Sequence, residues 1–137
     1  MDIITHAVVG AYTGSFFGHP IAGAIAGIAA DLPIMRVKRY QSPPPAYNAT
    51  HSLAAAAIVG IVGYYIYGNA ALFLAYLSHL YLDLFTHGKE WGSMLLYPFP
   101  KRFSFMPEWE FFNTSFYLGL FLAVLWSVTL CLILITK

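Results

Sequence analysis

Charge is what this 137-residue sequence has least of: seven Lys and Arg and six Asp and Glu make up 9% of it, against 59% hydrophobic residues. Ordinary soluble domains run to about 25% charged and about 45–50% apolar. The composition therefore excludes an ordinary soluble domain and predicts a membrane protein, with room for one compact domain over residues 1–137. A formal net charge of +1, with the basic residues scattered, excludes a surface built to neutralise nucleic-acid phosphates, so no nucleic-acid partner is expected. A single cysteine, Cys131, excludes an intrachain disulfide and reads as a small apolar filler. The start of the chain lacks a basic stretch, and His6 interrupts its apolar run, so a cleaved signal peptide is not expected.

Set against that shortage of charge are five histidines, several of them inside or beside apolar runs such as "THAVVG" (5–10) and "YLSHLYLDLFTH" (76–87). The runs themselves predict helices. Residues 3–30 carry no formal charge but are broken at Gly18-His19-Pro20, where Gly suits a helix stop and Pro the first turn of the next helix, giving a tight helical hairpin. Residues 32–50 form a basic, proline-rich loop. Residues 52–67 and 70–86 form a second hairpin turning at Gly68-Asn69, followed by a polar, proline-broken loop over 88–113. The run 114–136 has the ~20 residues that a membrane span needs. The expected fold class is thus all-α: a polytopic membrane bundle of about five helices, the first four as two short hairpins and the last a transmembrane helix.

The first four helices, at about 12–17 residues, reach only roughly 18–25 Å, short of a ~30 Å hydrocarbon core. Gly10, Gly14 and Gly18, and again Gly23 and Gly27, recur at four-residue spacing and predict closely packed helices. Arg36, Lys38 and Arg39 in the first loop and Lys89, Lys101 and Arg102 in the second place both loops, by the positive-inside rule, at the cytoplasmic face of a multi-pass cell-membrane protein.

That topology gathers the polar residues. His6 opens the first helix, Asp31 closes the second, His51 opens the third, and His79, Asp83 and His87 lie on one stripe of the fourth at i,i+4 spacing. Imidazoles and carboxylates converging from several helix ends are a ligand set for a divalent metal ion or a pair of ions, Zn²⁺ first and Mn²⁺ as the alternative. Blander readings exist for each member. His6 alone fits a solvated headgroup position, Asp31 a helix-ending loop residue, and His51 a helix N-terminus capped by Thr50. His79 and Asp83 could pair only with each other, whereas His19 lies at the opposite turn and is left out of the cluster.

The ordered set "MDIITHAVVG", "DLP" at Asp31, "THSLAA" at His51, "LSHLYLDLFT" and "LLYPF" at 95–99 resembles the LexA-regulated, membrane-bound metal-dependent hydrolase family, over roughly residues 1–105. That family is held to be similar to zinc-dependent phospholipase C. The resemblance implies an integral membrane hydrolase, with His6, Asp31, His51, His79 and Asp83 at the family's polar positions. The chain departs from the pattern where Ala46-Tyr47 replaces a His-Arg pair and Ile34 an Asp, which makes His87 and Glu90 candidates for additional ligands.

The leading expectation is a metal-dependent hydrolase of phosphoesters or lipid headgroups at the cytoplasmic face of the membrane. His6, His51, His79, Asp31 and Asp83 would be ligands, with Asp31 the candidate general base. Arg36, Lys38 and Arg39 could hold a substrate phosphate or simply set topology. Two rivals remain: a non-catalytic membrane metal-binding or transport component, and a structural helical protein with buried His–Asp hydrogen bonds. The gathering of all but His19 near one side disfavours transport, which needs polar groups through the membrane depth.

Overall fold

A computed structural model of the chain describes residues 3–34, 43–105, 121, 124–129, 131, 132 and 135. Its architecture is helical: α1 (Ile3–Ser15), α2 (Pro20–Ile28), a short α3 (Pro45–Thr50), α4 (Leu53–Tyr67) and α5 (Ala71–Thr86). Single 3-10 turns follow α2 at Leu32–Ile34 and α5 at Lys89–Trp91, and the loop after α5 is pinned by an isolated antiparallel bridge between Ser93 and Phe103. Helix α5 is central and packs against α1, α2 and α4.

The expected polytopic membrane bundle is not what the structure contains. Among the described residues no helix is long and apolar enough to cross a membrane. The physical cause is local. Gly18, at φ 78°, ends the first apolar run and Pro20 opens α2, while Gly68, at φ 68°, caps α4, so a reversal interrupts each run before it reaches spanning length. The resulting helices have 13, 9, 15 and 16 residues, or roughly 14–24 Å. Of the expected transmembrane helix 114–136, only 121, 124–129, 131, 132 and 135 are described; they are helical, and Trp126 donates to Thr13 Oγ1 of α1 at 3.0 Å. Large apolar side chains remain exposed on α1, α2 and α4, among them Ile4, Val8, Ile21, Ile25, Ile58, Ile61 and Tyr65.

Glycine sets how close α1 and α2 lie. A Cβ built on Gly10 would sit 2.4 Å from the Gly23 carbonyl oxygen, one on Gly23 would sit 2.3 Å from the Gly10 oxygen, and one on Gly27 would sit 2.5 Å from the oxygen of His6. Backbone thus touches backbone, as in small-residue helix interfaces. Gly18, expected to share in this packing, does not: a Cβ there meets nothing within 4 Å, and its role is the left-handed turn.

A Gly23→Ala variant should therefore lose more stability than Gly18→Ala. The first must push the α1 and α2 backbones apart, at about 1–3 kcal/mol or above, and the second strains one turn residue by about 1–2 kcal/mol. Thermal midpoints of both variants, read against the unaltered protein, check the order; a more damaging Gly18→Ala would sink it.

Candidate metal centre

The close α1–α2 contact lays His6 over Gly27, and from there the site can be built outward. The Gly27 carbonyl accepts from His79 Nδ1 at 2.7 Å, and His6 stacks on His79 with ring centroids 3.8 Å apart. His51 is the residue that closes α3. Its Nδ1 donates to the Tyr47 carbonyl at 3.0 Å, and its ring stacks on Tyr47 at 3.7 Å. A carbonyl can only accept, so both imidazoles carry a proton on Nδ1 and turn Nε2 inward. A backbone acceptor behind a histidine is how metal-ligating histidines are oriented.

Hydroxyls fix the surrounding chain. Thr50 was expected to cap the helix behind His51, but Ser52 does so, accepting from Ala55 N at 3.2 Å. Thr50 Oγ1 instead donates to Ala30 O at 2.8 Å, tying the end of α3 to the residue before Asp31, and Tyr76 of α5 donates to the Thr50 carbonyl at 2.6 Å. Leu53 N donates to Leu95 O at 2.9 Å and Tyr47 Oη to Trp91 O, which fastens the second loop beside the cluster. Burial raises the Tyr47 hydroxyl well above its ordinary pKa, so it stays a donor.

The inward atoms meet at ligand spacing. His51 Nε2 lies 3.1 Å from His79 Nε2, 3.2 Å from Asp83 Oδ2 and 3.4 Å from Asp31 Oδ1. His79 Nε2 lies 3.2 Å from Asp83 Oδ2 and 3.7 Å from Asp31 Oδ1. Ligand atoms on a tetrahedral ion with bonds of ~2.0–2.1 Å stand roughly 3.3 Å apart. The other Asp83 oxygen, Oδ1, lies 3.2 Å from His6 Nε2 and 3.1 Å from His87 Nδ1. His51, His79 and Asp83 are wholly buried and His6 is 1% exposed. Yet neither nitrogen of His6 nor either oxygen of Asp83 makes a hydrogen bond of proper geometry. Buried polar atoms that converge without directional hydrogen bonds fit a shared cation better than a hydrogen-bond network.

Burial and charge oppose each other within the cluster. Burial and then the nearby His79 hold His6 down at about 4, against the pull of Asp83. Burial also works against a charged His51, but contacts with Asp31 and Asp83 outweigh it and hold that imidazole up at about 9. Burial would raise Asp83; the surrounding histidines, His87 and His79 first, overcome it and keep the carboxyl well below its ordinary range. Held up in this way, His51 can donate from Nε2 to His79 Nε2, 3.1 Å away.

The structure brings together every residue of the expected ligand set: His6, Asp31, His51, His79 and Asp83. His87 joins them through Asp83. Glu90 is exposed in the 3-10 turn Lys89–Trp91. His19 packs on Tyr67 at 4.3 Å, at the turn end of the hairpins. Arg36, Lys38 and Arg39, the candidate phosphate-binding residues, lie outside the described residues. Sequence reasoning missed Tyr47 and the Gly27 carbonyl. The i,i+4 step from Tyr47 to His51 was a signal for the first, whereas a backbone acceptor on another helix leaves none.

The chain matches the family model of the YdjM inner membrane protein over residues 1–136. It belongs to that family. No curated protein and no solved structure matches it. Membership makes this YdjM-family chain an inner-membrane protein, in agreement with its composition and with the exposed apolar side chains of α1, α2 and α4.

Proposed function

We propose that this YdjM-family protein is a divalent-metal-dependent hydrolase, acting on a phosphoester, as a free compound or a lipid headgroup, at the cytoplasmic face of the inner membrane. The observation that carries the reading is the position of Asp31: it touches the His51–His79 pair at 3.4 and 3.7 Å, yet its side chain is 18% exposed where those of His51, His79 and Asp83 are 0–1%. A site meant only to bury an ion has no use for a carboxylate that water reaches. His51, His79 and Asp83 would hold the ion, and the Gly27 and Tyr47 carbonyls orient the two imidazoles. A bound divalent ion would supply a lowered pKa for water and stabilisation of negative charge on a phosphoryl oxygen, with Zn²⁺ favoured by the nitrogen-rich donor set and Mn²⁺ the alternative.

Asp31 is placed to accept the proton that an attacking water gives up. Burial would raise its carboxyl, but the contact with His51 and then the charge of His79 lower it, so at neutral pH it is ionised. The cytoplasmic placement rests on the sequence: Arg36, Lys38, Arg39, Lys89, Lys101 and Arg102 all flank the site-bearing helix ends, and basic residues are drawn to the anionic cytoplasmic leaflet.

One feature favours the non-catalytic metal-binding reading, namely the complete burial of His51, His79 and Asp83. The test separates the two. Purified protein in lipid, chelator-stripped and reloaded with Zn²⁺ or Mn²⁺, is assayed on phospholipid vesicles and on a soluble phosphodiester. Metal-dependent turnover is expected. A folded, metal-loaded preparation that turns over neither substrate would leave the non-catalytic reading.

A further inference from the structure

Two carbonyls at the end of α2 are met by side chains from other elements. Gly27 O accepts from His79 Nδ1 at 2.7 Å, and Ala30 O accepts from Thr50 Oγ1 at 2.8 Å. For the second the sequence supplies a reason: the residue three beyond Ala30, which would donate to it in a 3-10 turn, is Pro33, and proline has no N–H. The Ala30 carbonyl shares a planar peptide with Asp31 N, and that N–H donates to Ile28 O at 3.0 Å. One peptide plane, bonded at both ends, thus sets the direction in which the Asp31 side chain leaves the backbone. Thr50 is itself held, because its carbonyl accepts from Tyr76 Oη of α5 at 2.6 Å. Tyr76 is 2% exposed, and burial and then the charge of Asp31 raise its hydroxyl, so it stays a donor. Thr50 Oγ1 also stands 3.1 and 3.2 Å from the Ala46 and Tyr47 carbonyls of its own helix and 3.2 Å from His51 Nδ1. A hydroxyl has one proton to give. The Tyr47 carbonyl already accepts from His51 N at 2.8 Å and from His51 Nδ1 at 3.0 Å, and Ala30 O is the nearest of the three acceptors.

Resting on the reading of Asp31 as the proton acceptor, we propose that Thr50 is its positioning residue: the Thr50 hydroxyl fixes the peptide before Asp31 and so holds the carboxylate 3.4 Å from His51 Nε2 and 3.7 Å from His79 Nε2. Thr50 contributes no ligand atom. It acts through the backbone of two neighbours: His51 follows it directly, and Asp31 follows its acceptor, so one residue registers the base against the imidazole it faces. Asp31 needs this more than the other members do. His51 and His79 are anchored by their own Nδ1 bonds to carbonyls, and Asp83 lies within α5. Asp31 lies past the end of α2, with a side chain 18% exposed.

The full chain in lipid, loaded with Zn²⁺, is compared with three variants. Thr50→Val keeps the shape without the hydroxyl, Thr50→Ser keeps the hydroxyl, and Thr86→Val removes a buried hydroxyl that bonds to Leu82 O of its own helix. Thr50→Val is expected to lower kcat on a soluble phosphodiester by about 10²-fold, the scale of a misplacement of about 1 Å, with KM and metal content unchanged. Thr50→Ser restores the rate and Thr86→Val keeps it. A second readout needs no turnover: in the metal-free protein a water-soluble carbodiimide labels Asp31, followed by peptide mass spectrometry, faster in Thr50→Val than in the unaltered protein or Thr50→Ser. Full kcat in Thr50→Val overturns the assignment, as does a Thr50→Ser as slow as Thr50→Val. An equal loss of kcat in Thr86→Val overturns it too, since the effect would then be a general loosening. An unaltered protein that is folded and metal-loaded but turns over nothing removes the hydrolase reading alone, and the labelling then decides. Faster labelling in Thr50→Val upholds the positioning of Asp31 by Thr50, and an unchanged rate overturns it.

Discussion

Replacing Asp31 by Asn is expected to lower metal-dependent phosphoester turnover by about 10²–10⁴-fold, the range a positioned general base contributes. Asn keeps the shape of the side chain and an oxygen that can still face His51 and His79, now 3.4 and 3.7 Å from Asp31 Oδ1. What it loses is the capacity to take a proton. Because the Asp31 carboxyl is held below its ordinary pKa, the base is ionised throughout the neutral range, and the loss should appear in kcat at every pH there rather than only on an acid limb. Metal content measured on the same preparation separates the loss of a proton acceptor from the loss of a ligand. A variant that keeps its metal and the full rate would remove Asp31 from the chemistry.

The cluster itself was legible because its members are of types that an apolar helical chain rarely carries without reason. His79 and Asp83, one helical turn apart inside leucines and aromatics, marked a face, and the Gly18–Pro20 break said that α1 and α2 reverse and so bring His6 and Asp31 to one end. What could not be read were the partners that aim the imidazoles. Gly27 enters as a carbonyl, and a carbonyl is common to every residue type. Thr50 misled for a related reason: Thr and Ser are both good N-caps, and only the direction of the chain after His51 decides that Ser52 takes that role and Thr50 reaches back to Ala30.

Fold class was legible at the level of helices and wrong at the level of spans. Composition reports the apolar environment that a chain prefers, and the family to which this chain belongs agrees with it. Spanning, however, depends on uninterrupted length, and glycines of the same kind as those that let α1 and α2 touch also end the runs of α1 and α4, at 13 and 15 residues. Gly10, Gly14, Gly23 and Gly27 look alike to Gly18 and Gly68 in the sequence; only backbone φ separates those that pack from those that turn.

Affinity for Zn²⁺ should climb about tenfold per pH unit through neutrality, roughly 100-fold from pH 6 to pH 8, because binding must expel one proton. The proton is that of His51. Its Nδ1 is committed to the Tyr47 carbonyl, so the ion requires Nε2, and in the metal-free protein Nε2 is protonated at any pH below about 9. His6, held at about 4, is already neutral across this range and adds nothing to the slope. The sign for stability runs the other way. A histidine raised from 6.5 to about 9 contributes stability that is fully present below pH 6.5 and is lost as pH rises through 9, so the metal-free protein weakens on the alkaline side while the metal-bound form, whose His51 carries no such proton, does not. Calorimetric titration with Zn²⁺ in buffers of different ionisation enthalpy counts the protons released, and about one per ion entering the His51–His79 site is expected near pH 7. An affinity independent of pH between 6 and 8, with no proton released, would mean that His51 Nε2 is not where the ion binds.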